Sequence, residues 1–381
     1  MAIRVFFATN RAGALPPPVG DAARLEGLRF GEARLAELGD PLRTEAERDL
    51  LEITETGALA LADPRPSPAA GAAFAAWLAE AGVDGVPLLW LHGFANGLEG
   101  VLRRAAQIVE FYAGAEPGVR LVPLVCAWPS LGVTLGRLQG LDLDAAAEPY
   151  RTDQDSAMRS GPAMARLLQE VLLARAAAGA PGRRLALLAH SMGNWVLHHA
   201  LSSFAPGWPA PADRLAIRHA VLMAADIDQH LGQAGTPLLR LADLARAVTI
   251  GTNVDPVLET VSGLANGGGR RLGHVGPGRL EGLPGHVAVV DCLPGINAVD
   301  RGRILAAGGT EWDSIHHQYY RNNQNVRAHL AAAFAGDAAR LEQTRQPLAA
   351  ADRLAREPLG DLVRARTHVL LPSIFDIAGP P

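Results

Sequence analysis

Apolar residues along the chain gather into short dense runs, separated by stretches whose apolar positions fall three and four apart. The runs are IRVFFAT (3–9), LLEIT with ALALAD (50–63), VPLLWLHG (86–93), RLVPLVCAW (120–128), RLALLAH (184–190), IRHAVLMAAD (217–226), RAVTIG (246–251) and HVAVVDC (286–292). Several are apolar almost throughout instead of alternating. That is the pattern of strands covered on both faces of a mostly parallel sheet. Between them GLEGVLRRAAQIVEFYA (97–113), SAMRSGPAMARLLQEVLLARAAAG (156–179) and NWVLHHALSSF (194–204) carry the helical period. Strands alternating with helices predict an α/β fold, its sheet flanked by helices on both faces.

The pattern is looser up to Asp63, where LPPP and DPRPSP interrupt it. Residues 1–68 therefore read as two edge strands and a long connection, 86–330 as the core, and 331–381 as a helical extension with an apolar tail. The whole chain, 1–381, reads as one domain. Ser262 to Gly285 is too rich in glycine for regular structure and is expected to lie over one end of the sheet. There is no internal repeat.

Composition narrows the function classes. With 381 residues and 49% hydrophobic content the chain can bury a large core. A net charge of −4 without a Lys/Arg run argues against nucleic acid or an anionic membrane as the main partner. An aromatic content of 5% argues against a stacking platform for single strands. Cys126 and Cys292 lie inside strand-like runs and read as buried apolar residues, not a disulfide framework. MAIRVFFATNR reads as a strand and not as a signal peptide, and no run reaches the roughly 18 apolar residues of a membrane span. A cytoplasmic protein acting on a small molecule, with no nucleic-acid partner and no membrane span, is the expectation.

The candidate chemistry lies at the junction LALLAHSMGNWVLHHAL (185–201), where a buried strand meets a helix at Ser191. AHSMG is a variant of the G-x-S-x-G elbow, in which a serine is held in a sharp, strained turn. Residues two before and two after must be small there, and Ala189 and Gly193 are. The rival reading is a plain strand–helix turn. Other parts favour chemistry. LLWLHGFAN (88–96) has the strand–His–Gly form that supplies a second backbone donor to an oxyanion hole, so the N–H groups of Phe94 and Met192 are assigned to it, with His92 bracing the loop. The acid is expected after a later strand: Asp255 in TIGTNVDP, with Asp226 and Asp228 one strand earlier as rivals. The base is expected after the last strand, where EWDSIHHQYY offers His316 and His317. The chain order Ser191, Asp255, His317 suits this arrangement.

Taken together these pieces resemble a bacterial α/β-hydrolase family of unknown function in the esterase/lipase superfamily. The matching strings are VFFATNR, LLWLHGFANGLEGVLRRAAQI, AWPSLG, YRTDQDSAMRSG, LLAHSMGNWVL, VLMAADID, the Asp255 turn, RRLG and HHQYY, spanning Ile3 to Leu330. The resemblance implies an α/β-hydrolase fold and a serine hydrolase with Ser191 as nucleophile. Its late His–x–Tyr element falls on His317 and Tyr319, favouring His317 over His316, and its aspartate falls on Asp255.

Trp128 to Ser130 and Tyr150 to Ser156 are expected to shape the loop after the fourth strand, with Trp128 or Tyr150 lining an acyl pocket as the alternative. Arg270 and Arg271 read as solvated or loop-holding, the alternative being contact with an anionic substrate. The reaction expected is cleavage of a carboxylic ester, with no metal or organic cofactor; no H-E-x-x-H string occurs. An acyltransferase would use the same triad, and a non-catalytic binding protein would keep the fold without it. An interfacial lipase ranks lower, because the glycine-rich segment makes a poor amphipathic lid.

Overall fold

The computed structural model describes residues 2–13, 15, 24–39, 48–116, 118–132, 143–179, 185–204, 214–356 and 363–372. Most of the LPPP stretch and the tail beyond Pro372 lie outside the described residues. The strands are β1 (Ala2–Arg11), β2 (Arg24–Ala36), β3 (Leu50–Ala60), β4 (Val86–Leu91), β5 (Leu121–Cys126), β6 (Ala186–His190), β7 (His219–Met223), β8 (Val248–Thr252), β9 (Val287–Asp291), β10 (Arg345–Pro347), β11 (Leu354–Arg356), β12 (Val363–Ala365) and β13 (His368–Leu370). Eleven of them form one sheet, in the order β10-β13-β9-β8-β7-β6-β4-β5-β1-β2-β3. From β13 across to β1 every pairing is parallel; β2, β3 and β10 add antiparallel margins. β11 and β12 pair only with each other.

The continuous apolar runs are explained by burial on both faces. β4 to β9 are buried at every residue, and successive side chains point to opposite sides. Leu89, Leu91, Leu187, Ala189 and Leu222 pack with helices α1 (Pro68–Ala81), α4 (Gly161–Ala177) and α5 (Gly193–Ser202). Leu88, Trp90, Ala186, Leu188 and Val221 pack on the other face with α2 (Leu98–Ala113) and the helix Gln324–Ala335. The remaining long helix on the first face is α3 (Leu143–Arg159), directly before α4.

Four sequence expectations are corrected. The first segment holds three strands, not two, and β1 is interior, between β5 and β2. β2 escapes the pattern because Gly27, Gly31 and the outward Arg29, Glu32 and Arg34 dilute the alternation, and register shifts interrupt its pairing with β3. LLEIT and ALALAD are parts of one strand. The helix expected at 156–179 is two, broken at Ser160–Gly161, where a Cβ on residue 161 would stand 2.6 Å from the His199 Cβ and Pro162 opens the second helix. The C-terminal extension is not wholly helical: after Gln343 it supplies β10 and β13 to the main sheet.

The glycine-rich segment begins in the last turn of a helix over 256–265, π-helical at Leu258–Ser262, and otherwise holds one helical turn, Leu272–Val275. It lies across the carboxyl ends of β7 and β8: Leu272 N–H and Gly273 N–H donate to the carbonyls of Ile227 and Ala225, and Asn253 N–H donates to that of Gly273. Among the described residues, no helix is long and apolar enough to cross a membrane.

Candidate active site

β6 lies near the middle of the sheet, and Ser191 follows it at the carboxyl end, where open α/β sheets place their ligands. The backbone of Ser191 has φ 52°, in the left-handed region that side chains with a Cβ disfavour. Three backbone bonds hold the turn, with a fourth from the Asn194 side chain: Ser191 N–H donates to the Met223 carbonyl at 3.0 Å, and the Ser191 carbonyl accepts from the N–H groups of Asn194 (3.0 Å) and Asp226 (3.2 Å) and from Asn194 Nδ2–H (3.1 Å). Smallness is enforced by neighbouring backbone. A Cβ on Gly193 would stand 2.6 Å from the Leu91 carbonyl oxygen and 2.7 Å from that of His92, and one on Gly93 would stand 2.8 Å from the Ser191 Cβ.

Three side chains distant in sequence converge there. His317 Nε2 lies 3.0 Å from Ser191 Oγ, and His317 Nδ1 lies 2.7 Å from Asp255 Oδ2. Nδ1–H donates to the carboxylate, so Nε2 is free to accept the serine proton. All three are buried, with Ser191 only 3% exposed. Asp255 is fixed in turn: its Oδ1 accepts the N–H groups of Val257 (3.0 Å) and Leu258 (3.2 Å), and its own N–H donates to His274 Nδ1 at 3.1 Å. Burial opposes a charge on His317, but contact with Asp255, with Asp313 and Asp226 farther off, outweighs it and raises the imidazole pKa above 6.5.

His317 ends a π-helical turn, Glu311–His317, in which Gln318 N–H reaches back to the Asp313 carbonyl at 2.7 Å. Such turns are rare and often mark functional sites. His190 Nε2–H donates to the His317 carbonyl at 3.1 Å, and Asn253 Nδ2–H to that of His316 at 2.8 Å. His316 itself does not join Ser191; its Nε2 lies 3.4 Å from Glu311. Tyr319, buried, accepts from Ala224 N–H and donates to the Gly251 carbonyl, tying the same segment to the ends of β7 and β8.

The loop after β4 abuts Ser191. The Gly93 carbonyl accepts from His92 Nδ1–H (2.8 Å) and Asn96 Nδ2–H (2.9 Å). A peptide unit is planar and trans, so the Phe94 N–H points away from that fixed carbonyl. The N–H groups of Phe94 and Met192 have no hydrogen-bond partner among the described residues. His92 is stacked on Trp128, ring centroids 4.9 Å apart, and its carbonyl accepts from Trp128 Nε1–H. Burial lowers the His92 pKa to about 3, so the ring is a neutral brace. The fully buried Trp128 supports this brace.

The rival carboxylates are engaged elsewhere. Asp226 accepts the hydroxyls of Tyr150 (2.8 Å) and Ser262 and lies 3.6 Å from Arg271 Nε. Asp228 accepts His230 N–H at the start of a single turn. Arg270 is exposed, whereas Arg271 is buried and donates to the Ser262 carbonyl at 3.4 Å, so of the two readings Arg271 takes the loop-holding one. The Tyr150 ring lies 5.5 Å from that of Phe94.

Residues 72–333, well over half of the chain, match the model of a family described as "Alpha/beta hydrolase of unknown function" (DUF900). The chain belongs to this family. Among solved structures this α/β-hydrolase-family chain is similar to a Trichoderma reesei cutinase in complex with a C11Y4 phosphonate inhibitor, at 16% identity and a TM-score of 0.23, over 44% of this chain and 69% of the cutinase. It is similar also to the product of gene lin2722 from Listeria innocua, at 12% identity and a TM-score of 0.28, over 65% of this chain and 93% of that one. No curated protein matches it.

Several site-building residues went unread in the sequence: His190, Asn253, Asn96 and Arg11. Asp153 falls within Tyr150 to Ser156, expected to shape the loop after the fourth strand, and it does so through Ser130 and Leu131, although it was not singled out. A signal for it existed. Tyr150, Asp153, Ser156 and Ser160 recur every three or four residues and all are buried. They make a polar inner face, which a search for apolar periodicity passes over.

Proposed function

We propose that the protein is a serine hydrolase that cleaves a carboxylic ester of a small molecule through an acyl-enzyme on Ser191. The observation that carries this reading is the single imidazole of His317, set between Ser191 Oγ at 3.0 Å and Asp255 Oδ2 at 2.7 Å. In this scheme Ser191 Oγ bonds to the acyl carbon as its proton passes to His317 Nε2. Asp255 keeps the proton of Nδ1 in place and offsets the charge on the ring. The oxyanion meets the N–H groups of Phe94 and Met192, a kind of donor whose loss typically costs about 2.7–4 kcal/mol of barrier stabilisation. Collapse breaks the bond to the alcohol, which leaves with the proton from Nε2. Water then attacks the acyl-enzyme, giving its proton to Nε2. Ser191 recovers that proton as the acid departs.

The test is a fluorophosphonate probe, with the adduct mapped by mass spectrometry, beside Ser191→Ala. The expected result is one label, on Ser191, in the wild type and none in the variant. The variant should also lose p-nitrophenyl acetate hydrolysis while melting with the wild type. A folded wild-type protein that takes no label would favour a binding protein on the same fold.

A further inference from the structure

Asp153, on the inner face of α3, stands outside the proposed proton path, yet its carboxylate joins the two loops that frame Phe94. Its Oδ2 accepts the Ala95 N–H at 3.1 Å and the Ser130 hydroxyl, and its Oδ1 accepts the Leu131 N–H at 2.8 Å. Ser130 Oγ in turn accepts the Asn96 N–H at 2.9 Å. The residue is fully buried. Arg11, also buried, provides positive charge nearby and cross-links the same loops through the carbonyls of Asn96, Trp128 and Ser130.

These bonds bear on one strained position. Ala95 has φ 62°, which for a residue with a Cβ persists only where the surroundings fix it. The contact that Ala95 itself makes is the bond from its N–H to Asp153, while the Asn96 bonds to Ser130 and Arg11 hold the peptide beyond it. Ala95 N–H is one peptide on from Phe94 N–H, whose own direction is set by the Gly93 carbonyl. A loop free to relax at Ala95 would swing that peptide.

We propose that Asp153 is a positioning residue: without touching substrate, it holds the backbone that presents the Phe94 N–H to the oxyanion. The inference rests on Ser191 being the nucleophile. Asp153→Asn preserves shape but supplies one oxygen and one NH2, so whichever way the amide turns, an NH2 faces the N–H of Ala95 or of Leu131.

The experiment measures p-nitrophenyl acetate turnover per Ser191 site titrated with fluorophosphonate, together with the rate of phosphonylation and the melting temperature. For Asp153→Asn we expect kcat per site to fall about tenfold or more with KM little changed, and phosphonylation to slow in parallel, because the phosphonyl oxygen occupies the same hole. A residue that only packs would lower melting temperature and the number of active sites, leaving the rate per site intact. Wild-type kcat in folded, titrated Asp153→Asn overturns the inference while leaving the hydrolase reading standing. A wild type that takes no label sinks both. If Asp153→Asn does not fold, Asp153→Glu decides: it keeps the carboxylate but moves its oxygens off the Ala95 and Leu131 N–H groups, so a lower kcat per site at unchanged KM supports positioning, and wild-type kcat overturns it.

Discussion

His317 is held at three points besides its contact with Ser191: Asp255 on Nδ1, His190 on its own carbonyl and Asn253 on the carbonyl before it. An imidazole so constrained pairs with one carboxylate, which predicts a ranking. Asp255→Asn should lower kcat/KM by about a thousandfold or more, since an amide favours the wrong tautomer. Asp226→Asn should cost far less, because Asp226 meets Tyr150, Ser262 and Arg271 instead. The reverse ranking in an ester assay would move the acid to the end of β7. The raised pKa of His317 sets a pH dependence. The ring must be neutral to accept the serine proton, so kcat/KM should rise with pH along a limb whose midpoint lies above 6.5. The linked stability runs the other way. A raised folded pKa contributes stability that is fully present below 6.5 and lost as pH rises through the folded value. Activity therefore switches on as that contribution disappears, and Asp255→Asn should move the limb down.

Among the elements, the glycine-rich segment separates positions that look alike in the sequence. A Cβ on Gly273 would stand 2.1 Å from the Ala225 nitrogen and 2.3 Å from the Ala224 carbonyl carbon, and backbone bonds on both sides prevent retreat. Gly273→Ala should destabilise by about 1–3 kcal/mol, the usual cost of overpacking, while Gly285→Ala, with nothing within 4 Å, should be neutral. Urea midpoints of the two variants check this. The same contrast shows what the sequence made legible. The central strands and the elbow announced themselves because burial on both faces leaves a continuous apolar run, and Ser191, Asp255 and His317 each follow such a run. Where the local pattern and the burial diverge, the reading failed. β2 hides its inward Leu28, Phe30, Ala33 and Leu35 among glycines and charges, and α3 buries polar side chains. A single-turn element such as that at Leu272 has no period to read.

At the scale of the molecule, the C-terminal strands are part of the structure around Asp255. β13 extends the sheet beside β9, and the short β11–β12 hairpin sends Arg364 back into the core. There Arg364 lies 3.3 Å from Asp291 at the end of β9, and its Nε–H donates to the His274 carbonyl at 3.0 Å. The imidazole of that same His274 accepts the Asp255 N–H. The segment thus reaches the candidate site through two residues without approaching Ser191. Arg364→Met keeps an unbranched apolar stem but removes these bonds, leaving Arg366 as the described ion-pair partner of Asp291. Breaking a buried pair from one side costs about 3–5 kcal/mol, and the surviving arginine places the expected loss at the lower end. A lowered urea midpoint together with reduced kcat at unchanged KM would show that Asp255 depends on this support. A lowered midpoint with unchanged kcat would make Arg364 a fastening of the sheet margin only. An unchanged midpoint would mean that water or Arg366 replaces it fully. Since Arg364 is buried beside a carboxylate 1% exposed, the first outcome is the one the packing favours.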